Sequence, residues 1–190
     1  MVIAIRFSMH VFALLVVAAS VSTLAIADDL PLEEFFGVYV GVAEVLDEKG
    51  QAIGERHVDM VVEPDKRDGF KTTTIAVTLA DGQRDKPGVK RDVVNSAFVF
   101  DGDGVYLASE RGSLFSKKKD PDLIAGDVLR WARIKDRTLS LFSFVIEPDG
   151  RYELQITDRT LTAAGIDLSF RRYLDGIVVR TVAGRTVRVD

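Results

Sequence analysis

The chain contains no cysteine, and its 190 residues include only two histidines, one tryptophan and five prolines. Without cysteine there is no disulfide framework, no thiol nucleophile and no attachment point for a lipid anchor, so the mature protein is expected to be soluble. One histidine, His10, falls within the first 27 residues and leaves His57 alone. A Ser-His-Asp mechanism would have to use His57, but no Gly-x-Ser-x-Gly elbow accompanies it. A zinc site there would have only carboxylates to add. His57 alternates with Val58, Met60 and Val62 and shares its face with Asp59 and Glu63, which reads as the solvent side of a strand. No spacing among the 29 acids marks a hydrolytic pair. An excess of positive charge is also missing: 25 basic residues face those 29 acids, for a net charge of −4. That balance argues against nucleic-acid binding, which rests on phosphate neutralisation. The one basic run, Lys117 to Lys119, is followed by Asp120 and Asp122 and reads as a solvated loop.

Long apolar runs are confined to the start. Residues 1–27 carry one basic residue, Arg6, no acid, an apolar run from Val11 to Ala19, and the small-residue exit Ala25, Ile26, Ala27. This is the pattern of a secretory signal peptide. The expected organisation is therefore a signal peptide over 1–27 and a single domain over 28–190. The mature chain would be exported, to the periplasm in a Gram-negative source and otherwise secreted. Beyond residue 27 no apolar stretch reaches the roughly 20 residues of a membrane helix.

What the sequence does have is turn punctuation. Glycine follows an acid at Asp68, Asp81, Asp101, Asp103, Asp149 and Asp175, and Asp-Gly favours the positive φ angles of tight hairpins. Between these turns lie β-branched and aromatic runs at 35–46, 56–63, 70–80, 92–100, 105–109, 127–134, 138–147, 152–161, 166–174 and 177–182. Many alternate with period two, as half-buried antiparallel strands do. Helix is expected only as short pieces near 30–35 and 120–125. The fold class is all-β, either an antiparallel up-and-down barrel of eight to ten strands or a two-sheet sandwich.

Asp101, Gly102, Asp103 and Gly104 open like a calcium loop, but Gly112 stands where the closing glutamate belongs. A hairpin turn accounts for them, so no metal and no cofactor is expected. The aromatics are candidates for an apolar pocket: Tyr39, Trp131, Phe142, Phe144 and Phe170. Two charges interrupt apolar faces. Asp158 continues the face of Tyr152, Leu154 and Ile156, and Arg172 that of Ile166, Leu168 and Phe170. A turn centred at Ala164 would set Ile156 opposite Arg172 and make Asp158 its diagonal neighbour. Arg172 then either pairs with Asp158 on an inward face or orients an anionic headgroup.

Gly37, Val38 and Tyr39 near the mature start resemble the Gly-x-Trp of lipocalins, with Tyr39 in the tryptophan position. Thr157, Asp158 and Arg159 are similar to the Thr-Asp-Tyr of a later lipocalin loop, and Arg172 falls where that family carries a late-strand arginine. The resemblance implies an eight-stranded calycin-type barrel around a small hydrophobic ligand, with a helix after the last barrel strand. This chain ends instead in strand-like sequence from Ile177 to Val189. The resulting expectation is a non-enzymatic exported barrel that binds a small apolar or amphipathic molecule. Tyr39, Trp131, Phe142, Phe144, Phe170 and Arg172 would form the site, with no nucleic acid and no membrane span in the mature chain. The alternative is a structural or protein-interaction module of the cell envelope with a filled core, its protein partner unknown.

Overall fold

The computed structural model of the protein describes residues 29–66, 68–79, 83–84, 89–109 and 121–190. The signal-peptide reading of 1–27, the turn at Asp81 and the Lys117 to Lys119 run lie outside these residues. Ten strands follow a short 3-10 helix, Leu32–Phe35: β1 (Gly37–Leu46), β2 (Ala52–Asp65), β3 (Gly69–Thr78), β4 (Arg91–Gly102), β5 (Val105–Ala108), β6 (Leu129–Lys135), β7 (Thr138–Ile146), β8 (Tyr152–Leu161), β9 (Gly165–Leu174) and β10 (Ile177–Arg188). A second 3-10 turn, Leu123–Ala125, precedes β6. Each strand pairs antiparallel with the next, and β10 closes on β1 to make one barrel. The up-and-down barrel is therefore the architecture, and closure leaves no free sheet edge. The strands number ten, and β10 occupies the stretch where the lipocalin resemblance implies a helix.

The acid–glycine turns act as their chemistry requires. Asp103 and Gly104 join β4 to β5, and Asp175 and Gly176 join β9 to β10, all four with positive φ. Two such residues in succession are what a two-residue type I′ hairpin demands, and its twist matches that of the strands it joins.

One end of the barrel is plugged. Leu32 and Phe35 of the 3-10 helix pack into a cluster with Tyr39, Met60, Phe70, Phe98, Leu139 and Ile166. Phe70 stacks on Phe98 with centroids 4.9 Å apart and meets Tyr106 edge-on at 5.4 Å. Tyr39 donates its hydroxyl proton to the Phe35 carbonyl at 2.9 Å. Arg188, at the end of β10, donates to the carbonyls of Glu34 (2.7 Å) and Phe36 (2.8 Å) and to the Tyr39 hydroxyl (2.6 Å). Its guanidinium also lies 5.3 Å from the Tyr39 ring centre, a cation–π distance. The last strand thereby ties the first turn of the domain onto the plug. Because Arg188 is exposed, Arg188→Ala is expected to cost about 1–2 kcal/mol by urea unfolding, through lost charge-assisted bonds.

The register between β8 and β9 differs from the one expected. Leu161 pairs with Ile166 across Ala163 and Ala164, so Ile156 faces Arg171 and Asp158 faces Ser169. The turn is centred between two residues rather than on Ala164. That half-residue displacement of the centre slips the pairing by one and exchanges the faces. Asp158 does not meet Arg172. Its carboxylate takes hydrogen bonds from Arg171 and Ser140, each at 2.6 Å, on the outside of the barrel. The inward face of β8 is the polar one, carrying Glu153, Gln155, Thr157 and Arg159, while Leu154 and Ile156 point outward.

Candidate functional site

Above the plug the barrel is hollow, with a cavity of about 700 Å³. Its wall is mixed. Val58, Leu141, Leu168, Phe170 and Val182 supply an apolar part, and Ser96, Ser143, Gln155 and Thr157 hydrogen-bonding groups. Its charge is one-sided. Among the described residues it is bordered by five arginines, Arg56, Arg91, Arg130, Arg159 and Arg180, and by a single acid, Asp92. Asp92 lies 3.8 Å from Arg56.

Arg159 is the deepest of these cations and is only 3 % exposed. It projects from β8 across the barrel to β3, the strand diametrically opposite in the ring. There one Nη donates to the Thr72 hydroxyl at 2.7 Å and the other to the Thr74 hydroxyl at 3.1 Å. Its Nε is buried and has no hydrogen-bond partner. Burial pushes the guanidinium down to about 10, and among the described residues no carboxylate offsets that cost; only Tyr39 acts in the opposite sense. A buried cation whose hydrogen-bond partners are two neutral hydroxyls is expensive in a folded chain. The threonines that meet it are set by the alternation of β3, where Phe70, Thr72, Thr74 and Ala76 share the inner face.

Near the open end Arg172 donates through Nε to Glu153 at 2.9 Å, and a second bond runs from its Nη2 to the same carboxylate oxygen. The Arg172 guanidinium holds the Glu153 carboxyl below its usual range, while burial works the other way. A carboxyl depressed in the folded state contributes stability that is present above its unfolded pKa and disappears as pH falls through its folded value. Stability is therefore expected to decline on acidification below about pH 4.3, less steeply in Glu153→Gln. Urea midpoints from pH 6 down to pH 2.5 check this. Because Arg172 is well exposed, the difference at neutral pH should stay near 1 kcal/mol.

No protein-family model matches this chain, and no curated protein is similar to it. The site therefore stands on its own geometry.

The structure distributes the six sequence candidates over four places. Phe170 borders the cavity. Tyr39 is fully buried in the plug. Arg172 is on the inner face, occupied by Glu153 and outside the cavity lining. Trp131 and Phe144 lie on the outer face, on the opposite side of their strands from Ala132 and from Ser143. Phe142 touches the cavity boundary, but its ring stacks on Trp131 with centroids 4.9 Å apart. His57 is likewise outward, between the inward Arg56 and Val58. Arg159, Thr72, Thr74 and the other arginines were not among the candidates. The signal for Arg159 was the polar face of Tyr152–Leu161, which becomes the inner face once the turn after it is given two central residues; Thr72, Thr74 and the other arginines come from five other strands, and only the closed barrel brings them to the same space.

Proposed function

We propose that this protein is an exported binding protein that holds a small amphipathic molecule non-covalently inside its barrel and performs no chemistry on it. One observation carries the reading: a cavity of about 700 Å³ whose wall is part apolar and part hydrogen-bonding. Pockets of roughly 300–1,000 Å³ bury most of a drug-sized molecule. A protein whose barrel served only as a scaffold would gain stability by filling that space. The lipocalin resemblance points to the same class of function.

Binding of N-phenyl-1-naphthylamine, which fluoresces in apolar surroundings, tests the proposal. Wild-type protein is expected to bind one equivalent. Ala76→Trp puts an indole into the cavity from β3 and should weaken that binding by about tenfold or more, with the strand spectrum by circular dichroism retained. Equal binding by the two proteins would place the dye elsewhere and count against the cavity.

A second reading is favoured by the outer face of β5 to β8. There Leu107, Trp131, Phe142 and Ile156 are successive cross-strand partners, with Leu129, Phe144 and Leu154 in the next row. These side chains are half-exposed, and a contiguous apolar strip of this kind suits a protein contact. Trp131 is the only tryptophan, so its emission reports on this face. If the strip joins copies of the chain, the emission shifts to the blue as concentration rises, and Trp131→Arg abolishes association in sedimentation velocity. Unchanged emission in a monomer contradicts self-association here.

A further inference from the structure

We infer that the ligand is an acidic amphiphile, and that its oxyanion head docks at the bottom of the cavity against Arg159, Thr72 and Thr74. The inference rests on reading the cavity as a binding site and assigns the chemistry of its occupant.

The donor count leads to this assignment. A guanidinium has five N–H groups and no acceptor. Arg159 uses its two Nη atoms on Thr72 and Thr74, and its buried Nε donates to no group among the described residues. Each threonine hydroxyl already accepts from Arg159, so its own proton is directed toward some other acceptor. The result is a cluster of donors at the inner end of a hollow, with the Arg159 Nε unpartnered and no carboxylate opposite them among the described residues. A group that only accepts hydrogen bonds and carries negative charge completes such a cluster. Carboxylate, sulfonate and phosphate monoester heads all do so; an amine does not.

The rest of the wall agrees. Arg130 and Arg180 border the same space as exposed residues, and charges of one sign around a cleft raise the local concentration of an oppositely charged ligand. An amine would meet this field unfavourably, and an alcohol would gain nothing from it. The apolar part formed by Val58, Leu168, Phe170 and Val182 is left for the body of the molecule. The site thus asks for an acidic head placed deep and an apolar tail directed toward the open end. The position also explains why a buried cation is held without a counter-ion: the ligand supplies the charge, and a strut between β8 and β3 could be made without one.

Calorimetric titration of the purified protein with dodecanoate and with dodecan-1-ol, equal in chain length, tests the assignment. Wild type should bind dodecanoate at least about tenfold more tightly, the scale of one charge-assisted hydrogen bond. Arg159→Met should remove the preference, bringing the affinity for dodecanoate to that for the alcohol. Arg159→Lys should keep part of the preference. Dodecanoate should raise the melting temperature of wild type and not that of Arg159→Met. Should Arg159→Met fail to fold, Thr72→Val carries the same test, because it removes a donor from the head site and leaves the cation. Equal affinity of wild type for acid and alcohol overturns the inference and leaves the cavity reading intact. A preference that survives Arg159→Met, with a lowered melting temperature, makes Arg159 a strut and also overturns it. If neither compound nor the naphthylamine dye binds, the cavity reading itself fails, and the assignment with it.

Discussion

Gly184→Val is expected to cost on the order of 4 kcal/mol, enough to leave a marginally stable domain largely unfolded. Gly184 lies on β10 in the seam that closes the barrel, where its partner is Ala43 of β1. A Cβ added there would stand 2.3 Å from the Val42 carbonyl oxygen and 2.5 Å from the Ala43 Cβ. Gly41, on the same seam, is tighter still: its Cβ would be 2.0 Å from the Arg185 carbonyl oxygen. In both cases the obstacle is neighbouring backbone, which cannot turn aside as a side chain can, so the two strands must separate. Overpacking a core by one or two methylenes typically costs about 1–3 kcal/mol. Forcing apart a hydrogen-bonded seam adds lost ladder bonds to that figure. Gly54→Val is the control, since nothing lies within 4 Å of a Cβ at Gly54, and it should change stability by less than about 0.5 kcal/mol. Urea unfolding of the two variants beside wild type checks the prediction. A Gly184→Val protein as stable as wild type would mean that β10 does not close on β1 in this register.

Phe70→Ala is expected to cost about 3–5 kcal/mol, the usual range for truncating a buried phenylalanine. Phe70 is fully buried, stacked on Phe98 and edge-on to Tyr106 in the plug. The 3-10 helix above and the ladder around it leave little freedom for the surroundings to collapse into the void. Phe142→Ala provides the contrast. It removes the same ring from the half-exposed outer face, where the stack on Trp131 and the cross-strand contact with Ile156 are lost, and should cost about 1–2 kcal/mol. The two values should therefore differ by about 2 kcal/mol or more. If Phe142→Ala were the costlier change, the inward and outward faces of β7 would be exchanged, and the cavity described here would not exist.

That assignment of faces is where the sequence was least informative. The strands themselves were legible because acid–glycine turns at Asp103 and Asp175 bracket runs of alternating side chains. The closing strand was legible as strand-like sequence through Val189, although Gly184 hides its full length by interrupting the β-branched pattern. Alternation alone does not say which face is inside. In Tyr152–Leu161 the apolar face was the natural choice for the interior. The barrel instead turns Gln155, Thr157 and Arg159 inward, because a hollow interior can satisfy polar groups that a packed one cannot. The deciding information was the number of residues at the centre of one turn, Ala163 and Ala164, and a change of one there reverses a whole strand. Arg172 continues an apolar face in the sequence, which led to the expectation that it pairs with Asp158 or meets an anionic head. In the structure it is neutralised by Glu153, whereas the partners of Arg159 among the described residues are two hydroxyls. Pairing across ten strands brings Arg159 to Thr72, 87 residues away, and no local spacing carries that contact.

The central claim is that the barrel is a container, and native mass spectrometry of the protein recovered from its own compartment tests it most directly. The account predicts a polypeptide beginning at Asp28 that carries one organic molecule with an acidic group. The adduct should be released on collisional activation, absent from Ala76→Trp and depleted in Arg159→Met. A bare polypeptide from wild type, with no change in mass after incubation with dodecanoate or the naphthylamine dye, would contradict it.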